Sequence, residues 1–164
     1  MRPRTDADAV TAYDHIKHER GTVMIKKARA IWRGGIKDGG GTISTETGVL
    51  TDAPYGFKAR LEIGNGTNPE ELIGAAHAGC FTMALSKMLG DAGLIASRIE
   101  THAAVTLDMV GDGFEITSSH LKVRAKVPGA GRAKFEELAN KAKASCPVSK
   151  LLKAKITMDA TLEA

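Results

Sequence analysis

Two side chains in this sequence of 164 residues can cycle between reduced and oxidised sulfur, those of Cys80 and Cys146. Cys80 lies in an almost wholly apolar stretch, LIGAAHAGCFTMAL, where a cysteine taken alone reads as a small buried hydrophobe. Cys146 is placed differently. Pro147 follows it and pushes residue 146 out of helical geometry, which sets its thiol at the start of a new short helix. Backbone N–H groups at such a place favour a thiolate. One cysteine in each of two helices, and none elsewhere, is consistent with a redox pair, although spacing alone does not bring the two sulfurs together. Two thiols without a disulfide framework suit transient redox chemistry in a cytoplasmic setting better than a structural bridge.

Other candidate chemistry is weaker. His77 precedes Cys80 by three residues and shares its helical face, a spacing that suits a metal. A metal needs three or four ligands, and only the distant His102, His120 and Cys146 remain. No metal is therefore expected, and His77 reads as a core histidine with its hydrogen bonds met. His102 and His120 fall on strands and read as solvated or paired. No Gly-x-Ser-x-Gly marks a serine nucleophile, and the glycines at 39–41 lack the Gly-Lys-Ser/Thr of a phosphate loop. On position alone, Glu70 is a helix-dipole residue and Arg60 an outward-facing strand arginine.

The elements that must carry these residues follow from periodicity. Residues 24–32 and 42–45 read as strands. Phe57, Ala59, Leu61 and Ile63 alternate with polar neighbours, which predicts a half-buried strand. Asn68, Pro69 and Glu71 form the start signal of a helix that runs to Gly90–Gly93. Being apolar almost all round, that helix belongs in a core or an interface. Ile99, Thr101, Ala103, Val105, Leu107 and Met109 share one face of a long strand, and Gly111-Asp112-Gly113 turns the chain into a second. Phe114 and Ile116 are even-numbered while Leu121, Val123, Ala125 and Val127 are odd, which predicts a bulge within 117–120. A second helix over about 131–145 has Phe135, Leu138, Ala139 and Ala142 on its apolar face. A short helix over 147–153 and a last strand through Ile156, Met158, Ala160 and Leu162 complete an α+β fold built mainly from antiparallel strands.

Composition narrows the function further. The chain is 43% hydrophobic and 26% charged, ordinary values for one globular domain. Residues 1–23 are polar and carry no net charge, so they read as an extension, flexible or non-native, before a domain over 24–164 for which Met24 is a plausible start. The net charge of +4 is dispersed, and aromatic residues are only 4%, which argues against nucleic acid as a partner. No run of about 18 uninterrupted apolar residues suggests a membrane span, and no signal peptide is apparent.

Four segments then give a resemblance. GTISTETGVL at 41–50, PYGFKARLE at 54–62, GTNPEELIGAAHAGCFTMALSKMLGDAG at 66–93 and KAKASCPVSKLLKA at 141–154 closely resemble the OsmC/Ohr family, over Met24 to the C-terminus. The resemblance implies an intertwined homodimer with a long buried central helix and active sites at the subunit interface. It implies a cofactor-free, thiol-dependent peroxidase that reduces organic hydroperoxides, with Cys80 the peroxidatic cysteine and Cys146 the resolving one. Arg60 and Glu70 fall on the family's active-site arginine and glutamate, and a dithiol of lipoyl type is the implied external reductant. A non-catalytic dimer that binds a hydrophobic ligand and a metal-dependent hydrolase using His77 and Cys80 are the competing readings.

The implied chemistry makes physical sense. A thiol in an apolar helix has its pKa raised by desolvation, so a cation such as Arg60 must offset that penalty, and Glu70 can orient the guanidinium. Phe81, Met83 and Leu85 suggest a greasy pocket for alkyl or fatty-acid hydroperoxides. Glu70 and Cys80 are ten residues apart, about 15 Å along a straight helix. They can share one small site only if the helix breaks or if a second subunit supplies Glu70.

Overall fold

The computed structural model describes residues 24–61 and 66–163, so the 1–23 extension lies outside the described residues. The chain forms β1 (Ala28–Arg33), β2 (Gly40–Thr45), β3 (Ala53–Tyr55), α1 (Phe57–Leu61), α2 (Pro69–Asp91), β4 (Arg98–Val110), β5 (Gly113–Lys126), α3 (Arg132–Ser145), α4 (Pro147–Leu151) and β6 (Lys155–Glu163). This is the expected α+β order, with two departures: the short strand β3 was not expected, and the strand expected from Phe57 is not formed over residues 57–61. The alternating residues from Phe57 form a single helical turn, not a strand, through Leu61. A strand needs a ladder partner, and the free edge beyond β3 is already taken by a bridge from Tyr55 to Thr67. Asn68 Nδ2 also donates to the Ala59 carbonyl at 2.9 Å, which holds this turn against the start of α2.

β1, β2 and β3 make one antiparallel sheet. Gly41 is required at its centre, because a Cβ there would stand 2.2 Å from the Ile31 carbonyl oxygen and 2.4 Å from the Tyr55 ring. In the second sheet β5 is central, antiparallel to β4 and parallel to β6. The parallel pairing follows from α3 and α4, which carry the chain back along the sheet before β6 begins. Thr106 pairs with Ser118 and Leu107 with Ile116, so Thr117 is the extra residue of the predicted bulge. Its hydroxyl donates to the Asp108 carboxylate across the ladder. Beyond the bulge Ser119, Leu121, Val123, Ala125 and Val127 all face the core.

α2 starts as its sequence requires. Asn68 is extended, its Oδ1 accepts from the Glu71 backbone N–H at 2.8 Å, and Pro69 takes the first helical position. Gly93, with φ of +73°, closes the helix. Gly74, His77, Phe81, Leu85 and Leu89 form its buried stripe. Gly74 lets the helix lie close to β4, since a Cβ would meet the Ala103 carbonyl oxygen at 3.3 Å. With a mean hydropathy of 1.3, α2 is long and apolar enough by composition to cross a membrane, a test that the core helix of a soluble protein also passes. Its buried stripe packs on a core that includes Phe135, Leu138, Ala139 and Ala142 of α3. The other side of α2 stays open, and Met83 is 69% exposed.

Candidate active site

Cys80 projects from the middle of α2, half-buried, and Cys146 forms the junction between α3 and α4, fully buried. Pro147 gives Cys146 its non-helical backbone (φ −55°, ψ 123°), as the sequence demands. The two thiols are free and adjoin, each a hydrogen-bonding neighbour of the other.

Their electrostatics differ. Burial pushes the Cys80 thiol up; the Val148 backbone N–H opposes this, while the neighbouring Cys146 adds to it. Burial pushes Cys146 up as well, but hydrogen bonds outweigh it. They come from the Ser149 backbone N–H, the Cys80 thiol, the Ser149 hydroxyl and the Val148 N–H, and they hold Cys146 below the ordinary cysteine value. The structure therefore places the donors around the sulfur more deeply enclosed.

Arg60 and Glu70 form a second cluster. Arg60 Nε donates to both Glu70 carboxylate oxygens at 3.1 Å, and Nη2 donates to Oε1 at 2.6 Å. The pair is partly enclosed, with the carboxylate side chain only 11% exposed. Arg60 comes from the α1 turn, so it is not a strand residue. Glu70 comes from the first turn of α2, where its charge also suits the helix dipole. Between Glu70 and Cys80 the helix is unbroken from Pro69 to Asp91. One chain thus brings Cys80 to Cys146, and Arg60 to Glu70, as two separate pairs about 15 Å apart along the α2 axis.

A groove of about 430 Å³ runs beside this helix, lined by Glu70, Gly74, Ala75, Ala78, Ala103 and Val105 among others. Small apolar residues make much of its wall, and the side chains of Asn68, Glu70 and Glu71 from the start of α2 complete it. The expected greasy pocket of Phe81, Met83 and Leu85 is not formed, because Phe81 and Leu85 are fully buried in the core and Met83 points outward.

The histidines resolve simply. Both ring nitrogens of His77 are engaged by serine hydroxyls, Nδ1 with Ser119 and Nε2 with Ser149, each at 2.8 Å. His102 meets Glu100 at the surface, and His120 meets Thr157 and Asp159. Among the described residues no three His, Cys, Asp or Glu side chains are grouped to hold a metal. The sequence reading found His77 as a satisfied core histidine and missed its partners. Ser119 carried a signal: it is a polar residue on the apolar, odd-numbered face of β5. Ser149 carried another, three residues after Cys146 in the first turn of α4.

A cysteine pair seated under a long central helix and beside a mostly antiparallel sheet defines a class of two-thiol α+β proteins. Comparison with known proteins gives that class a family. The family described as OsmC-like protein matches residues 63–161. Peroxiredoxin OsmC of Escherichia coli K12 is 56% identical over 138 residues, which span 84% of this chain and 96% of that protein. The organic hydroperoxide resistance protein OhrB of Bacillus subtilis is 33% identical over 124 residues, 75% of this chain and 89% of that one. The crystal structure of OhrB from Bacillus subtilis matches with a TM-score of 0.58 at 28% identity, covering 84% of this chain and 98% of the other. An OsmC-like protein from Mycoplasma pneumoniae matches with a TM-score of 0.70 at 13% identity, covering 87% and 100%, a likeness of fold alone. This chain belongs to the OsmC-like family.

Proposed function

We propose that the chain is a thiol-dependent peroxidase that reduces organic hydroperoxides to alcohols. The names of its relatives support the peroxidase role, since one is a peroxiredoxin and others are organic hydroperoxide resistance proteins. The single observation that carries the mechanism is the juxtaposition of Cys80 and Cys146, one sulfur half-exposed and the other enclosed by donors. Cys80 Sγ attacks a peroxide oxygen, the O–O bond breaks, and the alkoxide leaves and is protonated. The resulting sulfenic acid on Cys80 condenses with Cys146, releasing water and forming a disulfide that limits over-oxidation. An external dithiol, of lipoyl type by family resemblance, supplies two electrons by exchange and returns both thiols. No bound cofactor takes part in this cycle.

Arg60, oriented by Glu70, stabilises charge on Cys80 as its proton leaves and holds the peroxide for attack. Because α2 is continuous, the Arg60–Glu70 pair that serves one Cys80 comes from a second subunit, and the functional unit is a homodimer. The open side of α2 around Met83 supplies an apolar surface for it. Stopped-flow consumption of an alkyl hydroperoxide with a dithiol present tests the proposal. Turnover that is lost in Cys80→Ser supports it, whereas binding of the hydroperoxide without consumption would make the chain a ligand-binding dimer instead.

A further inference from the structure

His77 and Ser119 are the fully buried polar side chains among the described residues. A buried imidazole whose hydrogen bonds are met can be purely structural. The two partners of His77, however, lie on different elements. Nδ1 meets Ser119, on the core face of β5 beyond the Thr117 bulge, and Nε2 meets Ser149 of α4, each at 2.8 Å.

Spacing makes the second contact one rung of a ladder. His77 and Cys80 are three residues apart on α2, so they share a face. Cys146 and Ser149 are three apart across the start of α4. His77 is bonded to Ser149, and Cys80 adjoins Cys146. Two rungs therefore join α2 to the start of α4, 77 to 149 and 80 to 146. One is a hydrogen bond and the other is the sulfur pair.

α4 is lightly held otherwise. It is one short turn, Pro147–Leu151, without a fully buried residue, and Leu151 is exposed. Val148 packs against the core but is only partly buried. The Cys146 backbone N–H donates to the Ala142 carbonyl, which ties the cysteine to the end of α3 and not to α2. Ser149 is where an α4 side chain bonds to α2.

Resolution makes strict demands on that placement. A disulfide needs its sulfurs about 2.05 Å apart with a torsion of about 90°. Until it closes, a sulfenic acid on Cys80 is open to a second hydroperoxide, which takes it to the sulfinic acid. The outcome depends on how much of the time Cys146 stands in attacking position.

We infer that His77 is a positioning residue for the resolving step: held by Ser119, it grips Ser149 and keeps α4 against α2, with Cys146 Sγ within bonding reach of Cys80 once that sulfur is oxidised. This role rests on the peroxidase reading and deepens its second step. There Cys146 Sγ attacks the sulfenic sulfur, the S–S bond forms, the S–O bond breaks, and hydroxide leaves with the Cys146 proton as water. The first step is left to Cys80 and Arg60 of the partner subunit. The imidazole acts as a neutral spacer. Burial holds His77 below its ordinary value of 6.5, so one serine hydroxyl donates to the ring and the other accepts from it.

The experiment separates the two steps. Reduced protein is mixed rapidly with excess cumene hydroperoxide. Alcohol formation reports the first step, and intact mass reports how Cys80 divides between disulfide and sulfinic acid. Ser149→Ala and His77→Leu should raise the ratio of sulfinic acid to disulfide by about three- to tenfold, the scale of one net hydrogen bond. The first step should change far less. His77→Gln carries its amide as far as Nε2 and should restore the division of the unaltered protein. His77→Asn reaches only as far as Nδ1, towards Ser119, and should not restore it. An unchanged division in Ser149→Ala overturns the inference, as does equal restoration by His77→Asn and His77→Gln. Should the His77 variants fail to fold, Ser149→Ala decides alone. A second arm needs no peroxide. A chromogenic aromatic disulfide caps Cys80 and releases one coloured thiolate, then Cys146 attacks the mixed disulfide and releases another. Ser149→Ala should slow the second release. If the unaltered chain consumes no hydroperoxide but the second release is slowed, the peroxidase function falls and the positioning role stands; a second release of unchanged rate removes the positioning role.

Discussion

Burial pushes Cys80 up, while Cys146 is drawn down by the donors around it despite deeper enclosure, so replacing each should have different consequences. Cys80→Ser should abolish turnover, because no other half-exposed thiol is present. Cys146→Ser should permit one round of peroxide reduction, then leave Cys80 to over-oxidise, which intact-mass measurement would register as added oxygen atoms. An unchanged multiple-turnover rate with a dithiol would remove Cys146 from the resolving role. Arg60→Ala should slow the first step by on the order of a hundredfold, the usual effect of removing one preorganised donor. Rapid-mixing kinetics would check it. His77 gives a stability prediction. Its folded pKa lies below the unfolded value of 6.5, so below that pH the unfolded chain takes up a proton that the native ring resists. The protein should lose stability as pH falls from about 6.5 towards the folded value, and His77→Gln should flatten that dependence in urea unfolding.

Asn68 is the element-scale joint of the site. Its Oδ1 caps α2 and its Nδ2 holds the Ala59 carbonyl, so one side chain positions both the helix bearing Glu70 and the turn bearing Arg60. Asn68→Ala should cost about 1–2 kcal/mol through the lost cap. Asn68→Asp keeps the cap but loses the donor to α1, so peroxidase rate should fall more than melting temperature; a rate unchanged in Asn68→Asp would show that α1 needs no such tether. The elements legible in the sequence were those with redundant local signals. Asn68, Pro69 and Glu71 announced α2, and the parity change in β5 located the bulge that the structure places at Thr117. The alternation from Phe57 to Ile63 was misread over its described part, Phe57 to Leu61, because so short an alternation fits a strand and a single helical turn equally well, while residues 62–65 lie outside the described residues. Only the bridge from Tyr55 to Thr67, a tertiary fact, decides between them. The parallel placement of β6 was likewise invisible to local pattern, since it depends on where α3 and α4 deliver the chain.

At the scale of the whole molecule, the Cys80–Cys146 pair and the Arg60–Glu70 pair are separate within one chain. The sequence spacing of Glu70 and Cys80 left two alternatives; α2 is unbroken, and the proposed function takes the second pair from a partner subunit. Residue types alone singled out the cysteines; Arg60 and Glu70 needed the family resemblance, because an arginine and a first-turn glutamate have ordinary structural explanations. Charge placed on the open face of α2, as in Met83→Glu, should shift the chain towards monomer in analytical ultracentrifugation and lower the peroxidase rate together with it. A monomer that turned over at full rate would separate catalysis from assembly. The claim on which everything else depends is that Cys80 and Cys146 are oxidised together by the substrate. It is tested by counting free thiols before and after one equivalent of cumene hydroperoxide and mapping the bond formed. The account predicts the loss of both thiols and a Cys80–Cys146 disulfide within one chain; two free thiols after the peroxide has been consumed, or a stable bond between chains, would contradict it.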